Sequence, residues 1–321
     1  MLDELLSRRV LFVTGKGGTG KTTLSAALAL LAARRGRRVL CIEVDAKGAL
    51  PACLGSPPVP FEPRVVQPNI SCLALHPEAS LQEYLRLYFH VPRFTRMTPL
   101  AGVFDFVANS VPGIKDMLIV GKVAYEEKRM SSTPRSGARP QWDIIIVDSQ
   151  ASGHVLPQLN AARAMLGLVR GGIIRSQVEW IDACLADSRR TLLTICALPE
   201  EMPVAEALEL HDRARAETRV TVGACFLNRT LRTALTPRQV RVLRQAAAPE
   251  HAEAAREHLG GELGPMVEGI QLAQRLAEAS QAQARRLRAG LSCPVLEIPV
   301  QARARPGLAT TRLIASALTA G

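Results

Sequence analysis

Two lysines, three threonines and four glycines fill the nine positions Gly15-Lys16-Gly17-Gly18-Thr19-Gly20-Lys21-Thr22-Thr23. Their order contains Gly-x-x-x-x-Gly-Lys-Thr, the spacing of a phosphate-binding loop. Gly15, Gly17, Gly18 and Gly20 let the backbone turn its N–H groups inward around a polyphosphate. The start of a following helix adds the positive end of its dipole. In such a loop Lys21 reaches the β- and γ-phosphates and the Thr22 hydroxyl ligates Mg²⁺. Lys16, one residue after the first glycine, makes this the two-lysine, deviant form of the Walker A loop. Lysine is scarce otherwise: of 40 cationic residues only Lys16, Lys21, Lys47, Lys115, Lys122 and Lys128 are lysines.

Two carboxylates could complete the chemistry. Asp45 follows the apolar run Val39–Val44, and Asp148 closes the run Ile144–Val147. A carboxylate leaving the carboxyl end of a buried strand, beside a phosphate loop, is placed to serve the metal side of the site. Asp45 there would orient an attacking water, or act only as a turn residue. Asp148 would hold Mg²⁺ through water. Gly153, in Ser149-Gln150-Ala151-Ser152-Gly153-His154, permits close backbone approach to a γ-phosphate. His154 reads as a helix-start or hydrogen-bonding residue. A later strand ends at Asn228-Arg229, where the amide offers a base edge both a donor and an acceptor.

These residues need strands to carry them and helices to cover the strands. Val10–Val13 reads as a strand before the loop and Leu24–Ala33 as a helix after it, stopped at Gly36. Further strands are expected at Val39–Val44, Ile70–Leu75, Asp143–Val147, Thr191–Ala197, Val220–Leu227 and Pro294–Pro299, with helices over residues 262–287 and 308–320. The helix at 262–287 carries one apolar stripe, Met266, Ile270, Ala273, Ala277, Ala284 and Leu287. Residues 51–68 are proline-rich and irregular, and Ser131–Gln141 is an exposed loop. Strands alternating with helices imply an α/β fold with a doubly wound, mostly parallel sheet. No internal repeat is seen, so residues 1–321 form one domain. Residues 77–130 form a helical subdomain inserted in it, rich in large apolar side chains from Met97 to Leu118.

Composition narrows the function classes. The 321 residues are 47% hydrophobic, and no apolar run approaches the ~20 residues of a membrane span. Asp3 and Glu4 stand where a secretory leader would be apolar, which points to a cytoplasmic location. The net charge of +11 favours anionic partners, yet the arginines are scattered as on solvated helix faces. Aromatic content is 4%, too low for base-stacking platforms, so nucleic acid is not an expected partner. The seven cysteines form no C-x-x-C pair and read as buried thiols.

The two-lysine loop, Asp45, Asp148 with Ser152-Gly153-His154, and Asn228-Arg229 together resemble the ArsA family. That family holds arsenite-pump ATPases and targeting ATPases for tail-anchored membrane proteins. Glu43-Val44-Asp45-Ala46-Lys47-Gly48, Phe104–Asn109 with Gly113–Asp116, and Pro199–Pro203 resemble its bacterial anion-transporting subgroup. The resemblance spans almost the whole chain and implies an Mg²⁺-dependent ATP hydrolase. It implies that Gly18, Gly20, Lys21, Thr22 and Thr23 cradle ATP, that Asp45 positions the hydrolytic water, and that Asp148 serves Mg²⁺. Asn228, with Arg229 beside it, would read adenine, and the loop after Pro299 would close over the base. Lys16 would reach across a dimer, with a second copy or with a paralogous ATPase, and the cycle would act on a membrane protein or hydrophobic client, from the cytoplasm or the inner membrane face.

This chain departs from the family's better-known members at both switches. Asp45-Ala46-Lys47-Gly48 replaces Asp-Pro-Ala-His, and Ser149-Gln150-Ala151 replaces the middle of Asp-Thr-Ala-Pro-Thr-Gly-His. A positioning ATPase of the ParA/MinD kind, or a weakly active subunit that regulates a paralogue, stands as the alternative.

Overall fold

The computed structural model of the chain describes residues 1–44, 46–89, 113–133, 137–231, 235–251, 254, 257, 263–301 and 307–320. Among the described residues the strands are β1 (Val10–Thr14), β2 (Val39–Glu43), β3 (Arg64–Gln67), β4 (Ile70–Ala74), β5 (Met130–Thr133), β6 (Gly137–Pro140), β7 (Ile144–Asp148), β8 (Thr191–Ala197), β9 (Thr221–Thr230) and β10 (Val295–Pro299). Eight of them form one sheet in the order β10-β9-β8-β1-β7-β2-β4-β3. Every pairing in it is parallel except the edge strand β3 on β4.

The central strands are apolar at nearly every position because both faces are covered. Phe12, Ile42, Val147, Ile195 and Leu227 point into one core. That core is closed by α5 (Ile114–Lys128), α6 (Ser152–Leu166), α7 (Gly172–Ala186), α8 (Glu201–Glu217) and the end of α10 (Leu263–Gly290). The alternate residues Leu11, Val13, Cys41, Ile146 and Phe226 point into the other core. There they meet α1 (Leu2–Leu6), α2 (Lys21–Arg34), α3 (Ala49–Cys53) and α11 (Leu308–Ala320). This two-sided burial with a period of two residues is the doubly wound α/β sheet expected from the sequence.

The connections follow local rules. Helix α2 is buried from Leu24 through Ala29 because the sheet lies beneath it and α11 above it. Gly36, at φ +75, ends it, with the N–H groups of Gly36 and Arg37 returning to Ala33 and Ala32 at 2.9 and 3.2 Å. Helix α4 (Pro77–Phe89) packs on α5, and α9 (Pro237–Ala246) packs on α10. Helix α9 opens with a capping box between Thr236 and Gln239.

Three sequence expectations change. Residues 51–68, read as irregular, hold the end of α3 and all of β3. Arg64-Val65-Val66-Gln67 is too short to announce itself and gains its strand geometry by pairing with β4. The segment read as a loop, Ser131–Gln141, instead contributes to the antiparallel strands β5 and β6, and Gly137, Ala138 and Arg139 are exposed as expected. On α10 the buried positions are Val267, Ala277, Ser280, Ala284 and Leu287, while Met266 is 52% exposed and Ala273 also faces outward. The apolar stretch Met97–Val107 lies outside the described residues, and of that cluster Ile114 and Met117 are half-buried and Leu118 is buried.

Candidate nucleotide site

The loop Gly15–Gly20 leaves the carboxyl end of β1, the strand flanked by β7 and β8 at the middle of the sheet. Open α/β sheets bind ligands at that edge. Gly15 has no room for a side chain: a Cβ there would lie 2.0 Å from the carbonyl oxygen of Cys196, and its φ is +148. Gly18 and Gly20, at φ +84 and +94, carry the chain through left-handed turns into α2.

The loop is drawn onto one of its own oxygens. The Lys16 carbonyl accepts from the Thr19 hydroxyl at 2.9 Å, from Lys21 Nζ at 3.2 Å and from the Thr19 N–H at 3.4 Å. Lys21, the first residue of α2, therefore holds its ammonium at the mouth of the loop, where a phosphate oxygen can replace a carbonyl oxygen. Lys16 leaves the cradle altogether. Its Nζ forms an ion pair with Glu206 of α8, and both side chains are about one-third exposed.

The metal side is joined to the loop by direct bonds. Asp148, at the end of β7, accepts the Thr22 hydroxyl at 2.8 Å and the Ser25 hydroxyl at 3.2 Å. It is 8% exposed, and burial pushes its carboxyl up to about 6. The two hydroxyls and the Lys21 ammonium oppose that rise, and Glu43 adds to it. A hydroxyl and a carboxylate in contact beside a phosphate loop form an all-oxygen pair. That suits Mg²⁺, which takes one or two carboxylates, substrate phosphate and water and needs no protein cage. No cluster of three or more His, Cys, Asp or Glu residues that could hold a metal alone occurs among the described residues.

Asp45 lies outside the described residues. A different carboxylate, two positions earlier in the sequence, has a role that the sequence reading missed. Glu43, the last residue of β2 and 3% exposed, accepts the N–H groups of Gly48, Ala49 and Leu50 at 2.9, 2.7 and 3.1 Å. It thus ties the start of α3 back to the sheet across the segment that contains Asp45. The signal was the acidic residue in an otherwise apolar strand, since a buried carboxylate must find donors. Thr23 turns toward α3, its hydroxyl 3.9 Å from Cys53 Sγ.

The second loop is stitched to the first. Ser149 N–H donates to Val13, Ser152 N–H to Gly15 and the Thr14 hydroxyl to Gln150, at 3.0, 3.2 and 3.0 Å. Gly153 opens α6 in free space, with nothing within 4 Å of a Cβ built on it, so the protein itself imposes no close approach there. His154 is exposed in the first turn of α6, as its helix-start reading requires. Gly17 is likewise open.

Asn228, expected to read a base, makes a contact within the protein. Its buried side chain points to the phosphate loop, Nδ2 donating to the Thr19 carbonyl at 2.8 Å. Arg229 is exposed with φ +58, and Pro299, paired with Thr230 across β10 and β9, is half-buried. Between them Thr230 keeps a buried hydroxyl without a partner. All seven cysteines are free, with Cys41, Cys72, Cys184, Cys196 and Cys225 buried.

A second concavity lies among four helices. Leu81, Tyr84, Met117, Met165, Trp180 and Ile181, from α4, α5, α6 and α7, enclose about 190 Å³ of mostly apolar space. Lys122 reaches it with a side chain only 3% exposed, bonded to both oxygens of Glu83 at 2.8 and 2.6 Å and to Glu126 at 2.9 Å. Glu126 is fully buried and also accepts Trp142 Nε1 at 3.0 Å.

Comparison with known proteins agrees with the geometry. The family model for anion-transporting ATPases, ArsA, matches residues 8–171, from β1 through both loops to the end of α6. ATPase BagA of Mycobacterium tuberculosis is 31% identical over 312 residues, covering 92% of this chain and 88% of the relative. ATPase get3 of Schizosaccharomyces japonicus is 32% identical over 161 residues, 50% of this chain and 45% of that protein. The arsenical pump-driving ATPase of Escherichia coli is 25% identical over 220 residues, 63% and 36% of the two chains. With its glycine loop on β1, Lys21 at the loop's mouth and Asp148 bonded to Thr22, this chain belongs to the ArsA family of ATPases and is an ATP hydrolase.

Proposed function

We propose that this chain is a Mg²⁺-dependent, nucleotide-switched ATPase. Its binding and hydrolysis of ATP make and break a dimer that handles a membrane-associated protein or hydrophobic client. The observation that carries the reading is the Thr22–Asp148 bond beside Lys21, which joins the metal side of the site to the phosphate side. ATP enters with its phosphates on the Gly15–Thr23 loop and displaces the Lys16 carbonyl from Lys21. Thr22 and Asp148 would hold Mg²⁺, which would neutralise charge on the phosphates, and Asp45 would orient the attacking water.

Lys16 is the residue for the partner subunit, a second copy or a paralogue. It lies outside its own cradle, part-exposed, and a phosphate presented by a facing protomer competes with Glu206 for it. Residues 77–130 act as the client-handling subdomain of a single ATPase domain, supported by the apolar cavity against α4 and α5. The metalloid cargo named for the Escherichia coli relative does not transfer, because the cysteines here are dispersed and mostly buried. No helix among the described residues is long and apolar enough to cross a membrane.

The test is Mg-ATP turnover and mass of the purified chain with and without nucleotide. Wild type turns over ATP, Lys21→Ala loses turnover by about a thousandfold, and Lys16→Ala binds ATP but neither dimerises nor hydrolyses it. Wild-type protein that neither binds nor hydrolyses ATP would sink the proposal. Full activity in Lys16→Ala would remove the dimer from it.

A further inference from the structure

Asn228 lies two residues before the end of β9, is 5% exposed, and has both ends of its amide engaged. Its Oδ1 accepts the Arg229 N–H at 2.9 Å, and its Nδ2 donates to the Thr19 carbonyl at 2.8 Å. The two bonds together fix the amide's orientation, since a flipped amide would set oxygen against oxygen and N–H against N–H. The Thr19 carbonyl has a second donor in Cys196 Sγ of β8, at 3.4 Å. Burial pushes that thiol up to about 12, so it keeps its proton. One carbonyl of the phosphate loop is therefore moored to two strands on the side of β1 opposite Asp148.

The mooring has a directional consequence. A trans peptide sets its C=O and the following N–H on opposite sides. Holding the Thr19 oxygen toward β8 and β9 aims the Gly20 N–H the other way, into the loop. Gly20 is also the residue that caps α2, its carbonyl accepting the Leu24 N–H at 2.9 Å. The same contact dictates the residue type at position 20: a Cβ there would lie 2.4 Å from Asn228 Nδ2. The last glycine of the loop is needed to admit an amide from behind, apart from any approach of phosphate from the front.

We propose that Asn228 is a positioning residue for the phosphate loop: by pinning the Thr19 carbonyl it aims the Gly20 N–H and sets the first turn of α2, which bears Lys21 and Thr22. The role rests on the reading of this loop as a triphosphate site, and it is separate from any contact with a base. Its effect is therefore felt by a ligand that has no base.

Mg-tripolyphosphate makes the separation. Its affinity and that of Mg-ATP are measured by calorimetry on wild type, Asn228→Ala and Asn228→Asp, with the melting temperature of each. Asn228→Ala weakens both ligands by the same factor, about tenfold, the value of one hydrogen bond. Asn228→Asp, of the same shape, turns an acceptor toward the Thr19 carbonyl and weakens both further. It also supplies the comparison if the alanine variant does not fold. Loss of ATP affinity with tripolyphosphate affinity intact would overturn the proposal in favour of base reading alone. A lowered melting temperature with both affinities intact would overturn it in favour of packing. Wild type that binds neither ligand would instead overturn the loop's reading as a phosphate site, and this role with it.

Discussion

The loop at the carboxyl edge and the cavity among α4, α5, α6 and α7 are opposite solutions to the problem of holding charge in a protein. At the loop, one contiguous stretch supplies glycines and a lysine, and three donors converge on the Lys16 carbonyl. Apart from Lys16 and Lys21 its side chains are short, and Asp148 is held at a strand end. In the cavity the charges are long side chains from different turns and helices, Lys122 with Glu83 and Glu126, set under apolar walls. The first arrangement leaves polar groups that a ligand can take over. The second satisfies its own charges and leaves an apolar surface. A site meant to exchange partners is made of backbone, whereas one meant to hold its shape closes its ion pairs internally.

Substitutions sharpen the contrast, the largest effect first. Gly15→Ala forces a methyl to within 2.0 Å of a main-chain oxygen at a positive φ. It should cost more than about 4 kcal/mol in denaturant unfolding and abolish ATP binding, because neither backbone has a soft way to yield. Lys122→Ala strips the fully buried Glu126 of its closer cation and leaves only Arg129, at 3.4 Å. A loss of about 3 kcal/mol is expected, with nucleotide affinity of the folded protein unchanged. Lys122→Met combined with Glu126→Gln recovers most of that stability. If the single and double variants are equally unstable, the cluster is held by packing and not by charge.

Asp148→Asn moves in the opposite sense. Burial raises the folded carboxyl from its ordinary 3.8 to about 6, so the folded state carries the extra proton between those values. Stability of the nucleotide-free protein therefore falls as pH climbs from about 4 to about 6 and is level above. Asp148→Asn removes that slope and stabilises the protein at pH 7 by roughly 2 kcal/mol while losing Mg-ATP turnover. A variant with the wild-type pH slope would mean that another group is responsible. Glu43→Gln is the mildest of the four. One of its terminal atoms becomes a donor facing the N–H groups of residues 48–50, so about 1 kcal/mol is lost. Amide exchange at Ala49 and Leu50 should quicken, and unaltered exchange would show that α3 holds its own start.

The legibility of the two regions differs for the same reason. The Gly15–Thr23 loop, the strands on either side of it and the strand-end Asp148 could be read because they obey local rules: glycine spacing, unbroken apolar runs and a carboxylate where the run stops. Glu43 was overlooked because its partners, Gly48, Ala49 and Leu50, meet it only after α3 folds back on β2. Strand β3 was missed because four residues between prolines carry no pattern, and only β4 makes a strand of them. The α10 stripe was placed on a partly wrong face, since 28 residues of helix touch the core at intervals set by neighbouring elements.

The chain by itself determined the class of fold, the phosphate loop and the identity of the residues at its mouth. Backbone freedom and hydrophobic alternation are properties of neighbours in sequence, and they suffice for that much. Which way the longer side chains turn was decided only by the tertiary structure. Lys16 faces Glu206 across 190 positions and Asn228 faces Thr19 across 209. Contacts of that span come into being when β8, β9 and α8 assemble beside β1, and no local pattern of residues encodes them.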